Sequence, residues 1–207
     1  MKKFKTEQEQ FWAGEFGNEY VQRNKDQEIV AANIALFSKI IAKTPNVNSV
    51  IEFGSNIGLN LKAIKQLLPL VNMSAIEINQ FAVEQLKAIG DINVYHQSIL
   101  DFIPNIKSDL AFIKGVLIHL NPEVLQSVYE KLYESSNRFV CIIEYYNPTP
   151  VELPYRGHEG KLFKRDFAGE LMDKYPDLKL IDYGFCYYRD PVFLQDDLTW
   201  FLMEKRA

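Results

Sequence analysis

The sequence predicts an α/β fold, a three-layer sandwich around a seven-stranded, mostly parallel sheet whose last strand is antiparallel. Five short apolar runs alternate with helical patterns between residues 28 and 146, and helical crossovers force parallel pairing. A glycine turn joins the first run to its helix. Two later runs, residues 178–188 and 198–204, alternate like a β-hairpin. We predict one domain over residues 1–207, in which residues 1–27 cover a core of residues 28–207.

Each element has its own local signal. Asn79 and Asn121 are suited to cap helices, Pro122 suits a first helical turn, and Gly90 ends a helix. Apolar residues at helical spacing predict the helices, and apolar runs predict the strands. The predicted helices cover residues 28–42, 58–68, 79–89, 122–134 and 165–174. The predicted strands cover residues 49–53, 71–77, 92–95, 108–114, 137–145, 178–188 and 198–204.

The composition argues against several kinds of partner. The chain has 23 Lys and Arg residues against 27 Asp and Glu residues, a net charge of −4. This balance leaves no basic surplus for a phosphate backbone, so we expect no nucleic-acid partner. The apolar runs are much shorter than the roughly 20 residues that span a membrane, so we expect no membrane partner. A small molecule is the expected partner, and the oligomeric state stays open.

The cysteines and histidines argue against disulfides and metals. Cys141 and Cys186 lie in separate predicted strands, and we expect free thiols in a reducing compartment. The basic N-terminus has no apolar region behind it, so we expect a cytoplasmic protein. His96, His119 and His158 lack the spacing of metal ligands, so we expect no metal.

Residues 50–61 carry the main signal for a ligand. An apolar strand turns at Gly54, and a helical pattern begins at Gly58. Glycine lets a ligand lie against bare backbone, and the following helix presents unpaired N–H groups at the turn. Glu77 ends the next predicted strand, where an acidic side chain can bind both hydroxyls of a ribose. These features predict a site for a nucleotide-type ligand.

The turn itself indicates which ligand. Nicotinamide binders carry Gly-x-Gly-x-x-Gly, whereas class I S-adenosylmethionine methyltransferases usually carry acidic-x-Gly-x-Gly-x-Gly. Glu52, Gly54 and Gly58 fall on the methyltransferase positions, and Asn56 replaces the middle glycine. Asparagine tolerates positive φ, and a carboxylate at Glu52 suits an ammonium and a sulfonium better than a pyrophosphate. The pattern resembles a Rossmann-like class I methyltransferase with S-adenosylmethionine as cofactor and S-adenosylhomocysteine as product.

A more specific resemblance begins in the N-terminal segment. Its run Glu9-Gln10-Phe11-Trp12-Ala13-Gly14-Glu15-Phe16-Gly17-Asn18-Glu19-Tyr20, followed by Arg23-Asn24, is similar to the opening of the pseudaminic acid biosynthesis-associated methylases. The similarity continues through residues 52–58 and 114–120. The resemblance implies a class I methyltransferase found with genes for bacterial nonulosonic-acid sugars.

The predicted cofactor site draws on four strand ends. In methyltransferases of this class the adenine edge is read just after the third strand, often by an acidic residue followed by an apolar one. Ser98-Ile99 falls at that place, so a hydroxyl or a backbone contact must replace the acid. The cofactor-binding candidates are Glu52, Phe53, Gly54, Ser55, Asn56, Gly58, Glu77, Ile78, Ser98, Ile99, Lys114 and Gly115.

The acceptor side is predicted from rings and cations at the same edge. His119 is a general base or only shapes the pocket, and Tyr145 and Tyr146 contact substrate or pack in the core. Residues 147–160 read as a long loop, in which Arg156 holds an acid or lies on a solvated surface. Residues 1–27 show no single period and form either a lid or plain packing. The catalytic candidates are His119 and Tyr145, and the substrate-binding candidates are Trp12, Tyr20, Arg23, Asn24, Tyr146 and Arg156.

We therefore expect methyl transfer to a small polar acceptor, such as an acidic sugar of the nonulosonic type or its nucleotide-linked form. One alternative is a binding or scaffold protein that keeps the fold without chemistry, which the departures at Asn56 and Ser98 permit. The other is an NAD(P)-dependent oxidoreductase. The sequence opposes a short-chain dehydrogenase, because its one Tyr-x-x-x-Lys match, Tyr175 to Lys179, contains Pro176.

Overall fold

A computed structural model describes residues 4–23 and 27–206 of the chain. The helices are α1 (Glu7–Ala13), α2 (Glu15–Arg23), α3 (Gln27–Ile41), α4 (Leu59–Leu67), α5 (Gln80–Lys87), α6 (Leu125–Glu134) and α7 (Phe167–Lys174). The strands are β1 (Ser49–Phe53), β2 (Asn72–Glu77), β3 (Ile92–His96), β4 (Ser108–Lys114), β5 (Ser136–Glu144), β6 (Val151–Tyr155), β7 (His158–Lys164), β8 (Leu178–Phe185) and β9 (Thr199–Lys205).

The main sheet has seven strands in the order β3-β2-β1-β4-β5-β9-β8. Neighbours from β3 to β5 pair in parallel, whereas β9 is antiparallel to both β5 and β8. The predicted fold class, including the antiparallel last strand, is confirmed. The strand order reverses between β1 and β4, which is where open α/β sheets form a ligand crevice beyond the carboxyl ends of their strands.

Helices cover both faces of the sheet because successive residues of a buried strand point to opposite sides. Ile51 and Phe53 of β1 belong to a core with α6 and α7, and Val50 belongs to a core with α3, α4 and α5. Glu52 shares the face of Val50, so its side chain points towards α4. This alternation places an acidic group inside the sandwich, directly behind the glycine turn.

The N-terminal segment is more regular than its sequence suggests. It forms two short helices, α1 and α2, separated at Gly14. The break explains why no single period runs through residues 1–27. The start of α1 is a capping box, in which the side chain of Thr6 accepts from the backbone N–H of Glu9, and the side chain of Glu9 accepts from that of Thr6.

The predicted loop of residues 147–160 is also wrong in part. It contains β6 and the start of β7, which form a separate antiparallel hairpin. The hairpin turns at Arg156 and Gly157, which have φ of +49° and +84°, as tight hairpin turns require. Within the described ranges, no helix has the length and apolar character needed to cross a membrane.

Candidate functional site

A cavity of about 260 Å³ lies at the carboxyl edge of the sheet, and we call it the edge cavity. Its walls come from the carboxyl ends of β1 to β5 and the chain just beyond them, from helices α1 to α4, and from Tyr155, Asp196 and Leu198. Thirteen of the candidate residues line it: Trp12, Tyr20, Gly54, Ser55, Asn56, Glu77, Ile78, Ser98, Ile99, Lys114, Gly115, His119 and Tyr145. Candidates from six separate parts of the sequence therefore meet at one place.

The other candidates lie away from the wall. Those described residues are Glu52, Phe53, Gly58, Arg23, Tyr146 and Arg156, and Asn24 lies outside the described residues. Phe53 is fully buried in the core. Gly58 faces α5, where a Cβ would lie 2.6 Å from Leu86. Gly58 thus permits close packing of helices and does not approach the cavity.

The turn after β1 depends on left-handed backbone at three positions. Gly54, Asn56 and Gly58 have φ of +75°, +48° and +76°, so asparagine adopts the conformation that its position requires. A Cβ on Gly54 would lie 2.6 Å from Val116, in the loop after β4. Gly54 and Asn56 therefore line the cavity, and Gly54 also packs against the loop after β4, where a larger residue would not fit.

Glu77 anchors the turn from the end of β2. Its two carboxylate oxygens accept hydrogen bonds from the backbone N–H groups of Asn56 and Asn79, each at 2.7 Å. Burial raises the pKa of Glu77, and these N–H groups oppose that rise. A carboxylate has about four acceptor sites, so both oxygens can still accept a hydroxyl from a ligand.

A polar network closes one end of the edge cavity. Asn60 donates to Glu52 at 2.6 Å and accepts from Lys114 at 3.4 Å, and Lys114 also donates to Asn33 at 2.6 Å. Burial raises the pKa of Glu52 and lowers that of Lys114, and the attraction between their charges opposes both shifts. Lys114 is the only lysine or arginine among the described lining residues. Glu52 therefore acts on the cavity through Asn60 and Lys114.

A second carboxylate reaches the cavity from the N-terminal segment. Glu9 of α1 is 6% exposed, and its Oε1 accepts the hydroxyl proton of Ser98. Its Oε2 accepts from the backbone N–H of Thr6 at 2.9 Å. Ser98 in turn accepts from the N–H of Leu100 at 2.9 Å. The carboxylate therefore stands beside the residue predicted to read the adenine edge.

A cluster of three tilted rings lines the other part of the cavity. The ring of His119 contacts those of Trp12 and Tyr155, with both centroid distances 4.7 Å. Its Nδ1 donates to the carbonyl of Lys161 at 2.6 Å, because a carbonyl can only accept. The neutral ring then keeps Nε2 as an acceptor. Burial lowers the pKa of His119 to about 4, so the ring is neutral at physiological pH.

We expect His119 to show no titration between pH 8 and pH 5.5. Its Cε1–H signal, assigned by its loss in His119→Gln, stays at the neutral position in NMR spectra over this range. The imidazole of His119 binds a proton below about pH 6.5 in the unfolded chain, but only below about pH 4 in the folded chain. As the pH is lowered from 6.5 to about 4, this residue therefore decreases the free energy of unfolding by up to about 1.4 kcal/mol per pH unit. The lowered pKa of His119 would be contradicted by an NMR titration midpoint near pH 6.5. It would also be contradicted if the unfolding free energy of His119→Gln depended on pH as that of the wild type does.

Two tyrosines complete the wall. Burial raises the pKa of Tyr20 to about 12, and the fields of Tyr155 and Asp196 add to this. Burial also raises the pKa of Tyr145, whose phenol is hydrogen-bonded to Asp196. Both phenols are therefore neutral, and they can orient an acceptor but not take its proton.

The two arginines among the candidates, Arg156 and Arg23, do not line the cavity. Arg156 stands on the exposed hairpin turn over the ring of Tyr155, at 5.9 Å, and Arg23 pairs with Glu19 at 3.4 Å. The charges of both arginines act on Tyr20 and lower its pKa. Neither arginine lines the edge cavity, but Arg156 lies over the lining residue Tyr155. Tyr146 is exposed and pairs with Arg165 in an isolated bridge.

Three residues of the cavity wall each carry a buried polar atom that has no hydrogen-bond partner among the described residues. These atoms are Gln8 Oε1, Trp12 Nε1 and Asn56 Oδ1. A buried polar group left unpaired is unfavourable by about 1 to 3 kcal/mol. Such groups in a native fold call for an explanation, and a bound ligand supplies one.

Several lining residues were missed from the sequence. They are Gln8, Glu9, Asn33, Asn60, Asn79, Tyr155 and Asp196. Two had a local signal: Glu9 follows Thr6 at capping-box spacing, and Asn33 interrupts the apolar pattern of α3. Asn79 was predicted only as a cap, whereas its amide also donates to Trp12 and Asn18. Tyr155 and Asp196 carry no signal, since long-range folding alone brings them here.

The sequence matches no protein-family model and no curated protein, but its fold matches solved structures. A SAM-dependent methyltransferase from Leishmania major is 16% identical, with a TM-score of 0.73, over 95% of this chain and 81% of that one. Magnesium protoporphyrin IX methyltransferase from Synechocystis PCC 6803, solved with S-adenosylhomocysteine, is 12% identical. Its TM-score is 0.70, over 96% and 98% of the two chains.

A third similar structure contains two ligands. The 1,6-didemethyltoxoflavin-N1-methyltransferase from Burkholderia thailandensis was solved with 1,6-didemethyltoxoflavin and S-adenosylhomocysteine. It is 11% identical, with a TM-score of 0.68, over 97% of this chain and 87% of that one. At such identities the likeness concerns the fold alone. The chain therefore has the three-layer α/β fold of these methyltransferases.

Proposed function

We propose that the protein is an S-adenosylmethionine-dependent methyltransferase that acts on a small polar acceptor. The observation that carries this proposal is the convergence of the glycine turn, Glu77 and Lys114 on one cavity at the point where the strand order reverses. An acidic group at the tip of β2 suits a ribose. The fold likeness to methyltransferases supports the same conclusion.

The residues present fit the cofactor along the length of the cavity. Lys114 and Asn60 would hold its amino-acid end, with Glu52 behind them. Asn56 and Gly54 would lie against its middle, and Glu77 would accept the ribose hydroxyls. Ile78 and Ile99 would enclose the base. The unpartnered Oδ1 of Asn56 supports this fit, because a donor on the ligand would satisfy it.

The cofactor, when bound, supplies a methyl group that a sulfonium already activates. The protein then has to align an acceptor lone pair and exclude water. Trp12, Tyr20 and Tyr155 form an apolar cover suited to that task. We propose that the helices α1 and α2 act as a lid, since they carry Trp12 and Tyr20.

His119 is the candidate base for a proton that leaves the acceptor. Its Nε2 is free to accept that proton, because Nδ1 donates to Lys161. A pKa of about 4 makes it a weak base, so alignment is the larger contribution. Tyr145 donates its phenol proton to Asp196, so its oxygen would orient the acceptor by accepting a hydrogen bond from it.

The acceptor class rests on the resemblance to methylases associated with nonulosonic-acid biosynthesis. We propose an acidic sugar of this type or its nucleotide-linked form. The described wall carries the acids Glu9, Glu77 and Asp196 against Lys114, so an acidic group would be held at the rim. Arg156, whose guanidinium lies 5.9 Å from the ring of Tyr155, and Arg23 are our candidates to hold it. We further propose one cytoplasmic domain without nucleic-acid or membrane partners.

The proposal is tested by binding and by turnover. In calorimetry we expect S-adenosylhomocysteine to bind with micromolar affinity, and NAD and NADP not to bind. The protein is then incubated with labelled S-adenosylmethionine and a metabolite extract, and mass spectrometry identifies the labelled product. We expect one labelled small molecule.

Each other outcome contradicts part of the proposal. Binding of NAD or NADP alone would favour the oxidoreductase. Binding of S-adenosylhomocysteine without any labelled product would favour a binding or scaffold protein. A labelled nucleic acid or protein would contradict the small-molecule acceptor. Equal labelling of acidic and neutral sugars would contradict the role of Arg156 and Arg23.

A further inference from the structure

The place predicted for the adenine edge holds a serine, which cannot supply a negative charge. Ser98 follows β3, and its hydroxyl already has two partners in the protein. It donates to Glu9 and accepts from Leu100. At most one lone pair of Ser98 remains, so the hydroxyl alone is a poor partner for the amine of adenine.

Glu9 stands beside this position with acceptor capacity left over. Its Oε2 accepts from the N–H groups of Thr6 at 2.9 Å and Lys5 at 2.5 Å, and its Oε1 accepts from Ser98. Three of about four acceptor sites are therefore used. The fourth acceptor site is left for a ligand, and the buried Glu9 lines the edge cavity where that ligand would lie.

The surroundings of Glu9 suit a flat base with an amino edge. Ile99 is buried beside Ser98, and Ile78 and Leu100 line the same region. The exocyclic amine of adenine is a donor, and a hydrogen bond from it to a carboxylate is charge-assisted and therefore strong. The keto oxygen of hypoxanthine, in contrast, would face the carboxylate as a second acceptor.

We propose that Glu9, carried by the N-terminal helix α1, is the acidic group that reads the amino edge of adenine. The inference rests on the proposed function, since it assumes an S-adenosyl ligand. The acid then comes from another part of the chain than the residue after β3. The cofactor site is incomplete until α1 is in place, so cofactor binding and lid closure are coupled.

The test compares two ligands on two forms of the full chain. S-adenosylhomocysteine and S-inosylhomocysteine differ at the base edge, where the amine is replaced by a keto oxygen. We expect the wild type to prefer the adenosyl ligand by about 30-fold or more, the size of a charge-assisted hydrogen bond. In Glu9→Gln we expect this preference to fall to about threefold or less, because the amide can donate to the keto oxygen.

The preference ratio separates reading of the base from support of the fold. A purely structural Glu9 would change both affinities by the same factor, and an unchanged ratio in Glu9→Gln would overturn the inference. Exposed Glu15→Gln, in the neighbouring helix α2, is the matched control and keeps the wild-type ratio.

Two further outcomes can be told apart. If Glu9→Gln does not fold, the wild type still decides, because a preference below about threefold overturns the inference by itself. If S-adenosylhomocysteine does not bind the wild type, the proposed function fails and the inference fails with it. Binding of S-adenosylhomocysteine with an unchanged ratio overturns only the role of Glu9.

Discussion

Replacement of Lys114 by methionine is expected to weaken S-adenosylhomocysteine binding by about 100-fold, equivalent to about 2.7 kcal/mol. The Nζ of Lys114 donates to Asn33 and Asn60, and an ammonium has a third proton to donate. It would bind the carboxylate at the amino-acid end of the ligand. Methionine keeps most of the buried stem, and without the charge Glu52 can stay protonated, because burial raises its pKa.

A ligand without the amino-acid end provides the control for Lys114. 5′-Methylthioadenosine keeps the base, ribose and sulfur but lacks the carboxylate. Calorimetry should give a change of less than about threefold for this ligand in Lys114→Met, because it makes no contact with the removed charge. Equal losses for both ligands would mean that Lys114 supports the turn or the fold and does not bind the carboxylate.

Replacement of Gly17 by alanine is expected to weaken S-adenosylhomocysteine binding by at least about 100-fold, because it displaces the lid. A Cβ at Gly17 would lie 1.9 Å from the carbonyl oxygen of Trp12 and 2.8 Å from Nδ2 of Asn79. The first atom is backbone and cannot turn aside. Helix α2 must therefore shift, which breaks the hydrogen bonds from Asn79 to Trp12 and Asn18.

The sheet should survive the same substitution. The two main core clusters contain residues of α3 to α7 and the strands, but none of α1 or α2. We expect the melting temperature to change by about 4 °C or less, which corresponds to about 1 kcal/mol for a domain of this size. Limited proteolysis should then cut the N-terminal segment first.

Gly14→Ala is the matched control in the same segment. A Cβ there comes no closer than 3.0 Å to a neighbour, the carbonyl oxygen of Gln10, so a shift of a few tenths of an ångström relieves it. We expect a loss of affinity of about threefold or less. Affinity within threefold of wild type in Gly17→Ala would show that the segment takes no part in cofactor binding.

Local signals explain how much of the core could be predicted from the sequence. The apolar runs of β1 to β5 and the helical spacing between them specify parallel pairing, because helical crossovers permit little else. Element bounds agree within a few residues, as for the predicted strand of residues 108–114, which matches β4. The residue types of Gly54 and Asn56 by themselves indicate the positive φ that both residues adopt.

The N-terminal segment and the hairpin β6–β7 were not predicted, for a physical reason. Helices α1 and α2 are short, and their rings pack against His119, Tyr155 and His158. A helix of 7 or 9 residues is unstable alone, so its stability comes from contacts that no local pattern contains. The same holds for the hairpin, in which β6 is mostly exposed and β7 is mostly half-buried.

The sequence by itself determined the sheet, the turn after β1 and the acid at the end of β2, because each depends on residues close together in the chain. The tertiary structure alone decided which side chains reach the cavity. It moved Glu52 behind Asn60 and turned Gly58 towards α5. It also brought Glu9 beside Ser98, 89 positions away. Such pairings follow from the packing of whole elements, which a local pattern does not encode.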